Sequence, residues 1–144
     1  MPRDIEEIRR ELPLRYPYLL VDRILEEGEG TVVALKNVTI GESVFQGHFA
    51  EPGPAVMPGT LILEAMAQTA AFLLPREEGV VGYLVAVEKA RFRRRVVPGD
   101  QLRVTARTLR ARKGLVEAQV EASVEGKVAA TAILSLVVGR EGDA

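Results

Sequence analysis

Two side chains able to move protons stand 16 residues apart in the stretch GHFAEPGPAVMPGTLILEAMAQ, residues 47–68. One is His48, the single histidine of the chain; the other is Glu64, a lone carboxylate inside the run LILEAMAQTAAFLL. An imidazole is suited to taking a proton near neutral pH. A carboxylate among Leu, Ile, Ala and Met is costly to bury ionised, so burial favours the protonated acid, which can donate. Gln68 follows Glu64 at i+4 and shares its helix face. Pro58-Gly59 suits a helix start. The first amides of a helix have no intrahelical partner, so the Gly59 N–H can serve a carbonyl oxygen or an oxyanion. Each feature has a plainer reading. A loop histidine is mostly a surface residue, a Glu in an apolar run often sits at the rim or pairs with Arg, and Pro-Gly is a common helix opening. Their conjunction in one string is what directs attention to proton transfer beside a stabilised oxygen.

The surrounding elements must hold that string in place. Residues 4–11, DIEEIRRE, read as a short helix with Asp4 as N-cap, ended by Pro13. LLVDRILEE (19–27) and TVVALKNVTI (31–40) read as strands around a GEG turn. A Pro/Gly-rich loop (47–59) leads into an apolar helix over about 59–74, stopped by Pro75. Four further strands follow, YLVAVEKARFR (83–93), QLRVTARTLRA (101–111), LVEAQVEASV (115–124) and VAATAILSLVV (128–138). Leu102, Val104 and Ala106 alternate with Arg103, Thr105 and Arg107 along the second of these. A helix apolar nearly all round must be enclosed. A curved antiparallel sheet wrapped around it does so, which makes the fold class α+β with one central helix.

With 144 residues and no linker or repeat, the chain reads as one domain, 1–144. A net charge of −1 gives no basic face for nucleic acid. The absence of cysteine excludes a disulfide scaffold, a CxxC redox site and thiolate zinc, and one histidine excludes a His-rich metal site. The N-terminus is too charged for a signal peptide. The longest apolar run carries Pro58, Gly59, Glu64 and Gln68 and falls short of a membrane span. A cytoplasmic protein without membrane insertion is the expectation. Only four of the 19 basic residues are lysines.

The pieces LPLRYPYLLVDRI (12–24), KNVTIGESVFQGHF (36–49), MPGTLILEAMAQTAA (57–71) and EKARFRRRVVPGDQL (88–102) follow one another in this order. In them the chain resembles the hot-dog-fold β-hydroxyacyl-[acyl-carrier-protein] dehydratases of type II fatty acid synthesis. The likeness spans about residues 12–138. It implies dehydration of (3R)-3-hydroxyacyl-[acyl-carrier-protein] to the trans-2-enoyl thioester with no cofactor and no metal. It also implies a homodimer with two sites at the interface, in the family often built up to a hexamer as a trimer of dimers. His48 matches the family's histidine, Glu64 its acidic residue on the partner's helix, and Gly59 the glycine whose amide holds the thioester carbonyl. Phe49 and Gln68 stand in the same motifs and join Gly59 as substrate-side residues. Glu rather than Asp at 64 favours the branch that dehydrates without isomerising. The chain departs from the pattern in a loop between His48 and Met57 that is two residues longer, with Ala50 where a proline is usual. Leu14 replaces a histidine and Arg95 a proline. The extra pair must bulge outward if His48 keeps its place.

For such a reaction the expected scheme has His48 removing the α-proton, Glu64 helping to expel the β-hydroxyl, the Gly59 amide holding the enolate-like oxygen and Gln68 orienting Glu64; which of His48 and Glu64 handles which proton is open at the level of sequence. Leu61, Leu63, Met66 and Phe72 line an acyl tunnel or are plain core, and Tyr16 and Phe92 divide in the same way. The run RFRRR (91–95) is either a solvated strand end or, through Arg94 and Arg95, a dock for an acidic acyl carrier protein and its phosphopantetheine phosphate. Another hot-dog thioester enzyme (a thioesterase or enoyl-CoA hydratase) and a non-catalytic acyl-thioester-binding protein are the competing expectations.

Overall fold

The computed structural model describes residues 2–49, 53–75 and 80–140. Its centre is one six-stranded antiparallel sheet and the helix that the sheet encloses. The strands are β1 (Arg23–Gly28), β2 (Thr31–Asn37), β3 (Val80–Phe92), β4 (Gln101–Arg112), β5 (Leu115–Val124) and β6 (Lys127–Arg140). They lie in the order β1-β2-β4-β5-β6-β3. Two hairpins close with two-residue turns in which both residues are left-handed. These are Glu29 (φ 51°) with Gly30 (φ 76°), and Glu125 (φ 51°) with Gly126 (φ 78°). This geometry matches the strands' own twist, and glycine is the residue that adopts it without a Cβ clash.

Helix α2 (Gly59–Ala71) crosses the concave side of the sheet. Its Ile62, Ala65, Met66 and Ala70 pack against Leu102, Val104 and Ala106 of β4, Val116, Ala118 and Val120 of β5, and Ala130, Ala132 and Leu134 of β6. The alternation read in the sequence is thus the inward face of each strand. Many of these inward residues are alanines, which lets the sheet come close to the helix. Register shifts in β1, β3, β4 and β6 add bends of the kind bulges produce.

A second cluster of Ile8, Leu12, Val21, Ile24, Val32, Ala34 and Phe72 seals the C-terminal end of α2. Helix α1 (Ile5–Glu11) supplies part of it, held by a complete capping box between Asp4 and Glu7. Arg3 ties this helix to β1 by exchanging backbone hydrogen bonds with Ile24, and its guanidinium pairs with Glu11 and Glu27. Burial alone would lower the pKa of Arg3; the hydrogen bond to Glu27 and the charges of Glu11 and Glu27 raise it instead.

Several boundaries differ from the expected ones, β2 ending at Asn37 and β3 beginning at Val80 among them, and one element is new. Residues 19–22 precede β1 as extended chain rather than strand, since the Leu20 N–H is taken by the Gln68 side chain. The α2 helix ends at Ala71, where the N–H groups of Phe72, Leu73 and Leu74 reach back only three residues and tighten the turn ahead of Pro75. A one-turn 3-10 helix at Ser43–Gln46, not expected from the sequence, precedes His48.

Candidate active site

His48 leaves the 3-10 turn with its N–H donated to the Val44 carbonyl at 3.0 Å. Its ring Nδ1 lies 2.8 Å from the Val56 carbonyl oxygen. A carbonyl oxygen can only accept, so Nδ1 carries the hydrogen. The neutral ring therefore presents a lone pair at Nε2. The imidazole stacks on Phe49 with centroids 4.3 Å apart and planes at 21°. Phe49 sits at φ 53°, a left-handed conformation that costs a bulky residue about 1–2 kcal/mol. Residues 50–52 lie outside the described residues, and with them part of the longer loop. Val56, just after that loop, is in contact with His48 all the same.

Glu64 and Gln68 form a second unit, one helical turn apart on α2. The Gln68 amide donates to Glu64 Oε2 at 2.9 Å and to the Tyr18 carbonyl at 2.6 Å. Its oxygen accepts the Leu20 N–H at 2.9 Å. Gln68 is only 3% exposed, so every hydrogen bond it makes replaces one to water. Its carboxamide is locked from three sides and can present Glu64 in one orientation. Glu64 itself is half-buried in the single chain. It opens onto a groove of about 170 Å³ walled by Leu12, Pro13, Leu14, Ala67, Ala71, Gly82, Leu84 and Leu136. Apart from Glu64 and Gln68 this groove is apolar.

A third unit gathers around the start of α2. Gly59 shares a cavity of about 290 Å³ with Val56, Met57, Ile62, Phe92, Val96 and the three arginines Arg93, Arg94 and Arg95. A Cβ on Gly59 would come within 3.2 Å of the Phe92 ring, so this position is tight on its exposed side. His48 lines a different cavity, of about 560 Å³, with Pro17, Tyr18, Ser43, Val44, Pro58, Thr60 and Leu61. The chain therefore brings Glu64 to Gln68, Gly59 to Arg94 and Arg95, and His48 to Phe49. None of these three cavities holds both His48 and Glu64.

Of the apolar residues weighed as tunnel or core, Met66 and Phe72 are buried in the two clusters. Leu61 and Leu63 are partly buried, and Tyr16 and Phe92 are exposed. The residues that do wall the groove beside Glu64 were missed, apart from Leu14, which stood out only as a departure. The Val56 carbonyl, the Tyr18 carbonyl and the Leu20 amide were also missed. They are backbone groups, and a reading by side-chain type has no signal for them.

A family model described as the FabA-like domain matches residues 12–133. A 3-hydroxyacyl-[acyl-carrier-protein] dehydratase FabZ of Streptococcus pneumoniae (strain CGSP14) is 48% identical over 139 residues, covering 94% of this chain and 98% of the relative. Among solved structures, the dehydratase heterocomplex ApeI:P from Xenorhabdus doucetiae aligns with a TM-score of 0.74 at 18% identity, over 93% of this chain and 91% of that one. A hot-dog-like protein from Thermanaerovibrio acidaminovorans aligns with a TM-score of 0.63 at 20% identity, over 96% and 90%. These two structures speak to the fold, which is the hot-dog fold.

Proposed function

The chain belongs to the FabA-like family, and from that premise we propose a reaction and an assembly for it. The reaction is the dehydration of 3-hydroxyacyl-[acyl-carrier-protein] in fatty acid biosynthesis. His48 Nε2 takes the α-proton of the thioester. The electron pair moves toward the thioester oxygen, which the Gly59 amide and the N-terminus of α2 stabilise. Re-formation of the carbonyl expels the β-hydroxyl, which leaves as water on a proton supplied or held by Glu64. A trans-2-enoyl thioester remains. Gln68 keeps Glu64 aimed, and Phe49 flanks the imidazole on the substrate side. The observation that carries this reading is the Val56 carbonyl on His48 Nδ1, because it fixes the tautomer that has a base at Nε2.

The assembly is a homodimer in which His48 of one subunit works with Glu64 of the other. Two observations support it. Within one chain the two residues open onto different cavities. And among the described residues β3 pairs only with β6, leaving a 13-residue edge strand with Tyr83, Leu84, Val85 and Val87 exposed. Such an edge is a template for pairing with another copy. Leu84 also walls the groove beside Glu64, so a strand added at β3 would lie against that groove. Further association into a trimer of dimers, one domain spanning the whole chain and a cytoplasmic location belong to the same reading. No helix among the described residues is long and apolar enough to cross a membrane.

The partner is the acyl carrier protein. Arg94 and Arg95, exposed at the mouth of the Gly59 cavity, suit its acidic surface and the phosphate of its prosthetic arm. The test is hydration of a crotonyl carrier protein, read as loss of enoyl absorbance. Wild type is active, while His48→Ala and Glu64→Ala lose at least about a hundredfold in kcat, the usual scale for a positioned acid or base. Normal turnover by His48→Ala would refute the scheme.

A further inference from the structure

The scheme rests on His48 being held to one position, yet the loop that carries it is long and irregular. What anchors its near end is an ion pair between a buried lysine and a partly buried glutamate. Lys36, on β2, is 5% exposed. Its ammonium lies 2.6 Å from Glu42 Oε1. The other oxygen, Oε2, accepts the Thr39 N–H at 2.8 Å. The Glu42 backbone closes the same turn, donating to the Thr39 carbonyl at 3.2 Å and accepting from Phe45 N–H at 3.1 Å. From there Val44 accepts from both Gly47 and His48, and the buried Phe45 ring pins the turn to the core. Glu42 occupies the N-cap position of the 3-10 turn but makes no side-chain cap bond to it. Its side chain turns back to Lys36 instead.

An ion pair with one buried partner is poor evidence of stabilisation, because the cost of taking the lysine's charge out of water offsets much of the attraction. What such a pair does supply is one geometry. The strand fixes Lys36, Lys36 and the Thr39 N–H each hold one carboxylate oxygen of Glu42, and Glu42 fixes the direction in which the chain enters the turn before His48. We propose that the Lys36–Glu42 pair is the positioning element for His48, setting the entry of its loop so that Nδ1 meets the Val56 carbonyl. Neither residue lines the cavity that His48 opens onto. The inference rests on the reading of His48 as the base, but its structural half stands apart from that reading.

The single histidine makes the test specific, since isotope-labelled histidine gives one imidazole spectrum. In wild type the Nδ1–H is hydrogen-bonded and exchanges slowly with water. In Lys36→Met that signal is lost to exchange, and kcat for crotonyl carrier-protein hydration falls about tenfold to a hundredfold, as misplacement of a reacting group by about an ångström does. KM changes less than about twofold, since binding is untouched. Lys36→Arg, which keeps a cation with several donors, recovers most of both. Should Lys36→Met fail to fold, Glu42→Gln carries the same readouts, because its carboxamide can still accept from Thr39 while the charge pairing is gone. Unchanged kcat in the variant overturns the proposal. So does lost activity with the Nδ1–H signal intact, or Lys36→Arg behaving as Lys36→Met does. If wild type itself does not hydrate the crotonyl thioester, the reading of the reaction fails while the imidazole signal still decides the positioning.

Discussion

Gln68→Leu removes the one side chain that connects Glu64 to the segment before β1. The replacement is similar in size and apolar, so the helix packing is kept while three hydrogen bonds go. The Leu20 N–H loses its acceptor in a buried position, where an unsatisfied donor costs about 1–3 kcal/mol. The Tyr18 carbonyl and the Glu64 carboxylate each lose a donor, but water reaches both in part, so about 0.5–1.5 kcal/mol apiece is the fitting scale. The apolar side chain returns roughly 1 kcal/mol by burial. The balance is a destabilisation of about 1–5 kcal/mol, centred on ~3 kcal/mol, a large share of the ~5–15 kcal/mol that holds a domain together. Urea unfolding reads it as a midpoint lowered by about 1–2 M for a slope of ~1–3 kcal/mol/M. The comparison is made at one protein concentration, because subunit association feeds into the apparent stability. Activity falls as well, since Glu64 is no longer aimed. A midpoint within about 0.3 M of wild type, a difference of under ~1 kcal/mol, would refute the claim that Gln68 is the locked junction of the site.

Two further outcomes follow from the cavities. Charge reversal at Arg94 and Arg95 raises KM for carrier-bound substrate about tenfold or more and leaves a short pantetheine or CoA analogue within about twofold, because rim charges act on the encounter with a charged partner; steady-state kinetics on both substrates decides it. Ala71→Leu narrows the groove beside Glu64 at its far end, so turnover of long acyl chains falls about tenfold while crotonyl hydration holds, on the ~1–3 kcal/mol scale of size discrimination in apolar pockets. A chain-length series read by product mass checks it.

Much of the fold was legible because it rests on periodicity. The inward alternation of Leu102, Val104 and Ala106 and the apolar run of α2 each specify a buried face. The boundaries were less legible where side chains compete with the backbone ladder. Leu19 and Leu20 look like strand residues, but the amide of Leu20 goes to Gln68 across 48 positions of sequence. The 3-10 turn before His48 escaped notice because it is a single turn without a side-chain cap, and the Glu42 side chain at its start turns back to Lys36 instead. At the site, the types of His48, Glu64, Gly59 and Gln68 could be read, and so could the i+4 link of Glu64 to Gln68. The relation of His48 to Glu64 could not be read from spacing, and within one chain the two open onto different cavities.

That meeting across subunits is the central claim, and subunit mixing tests it directly. His48→Ala and Glu64→Ala proteins, each inactive alone, are unfolded together, refolded and assayed for crotonyl carrier-protein hydration. In an isologous dimer with sites built in trans, every mixed dimer has one site with both residues intact, so random pairing returns about a quarter of wild-type activity. Activity no higher than that of the two separate variants, with mixed dimers shown to be present, would contradict the account.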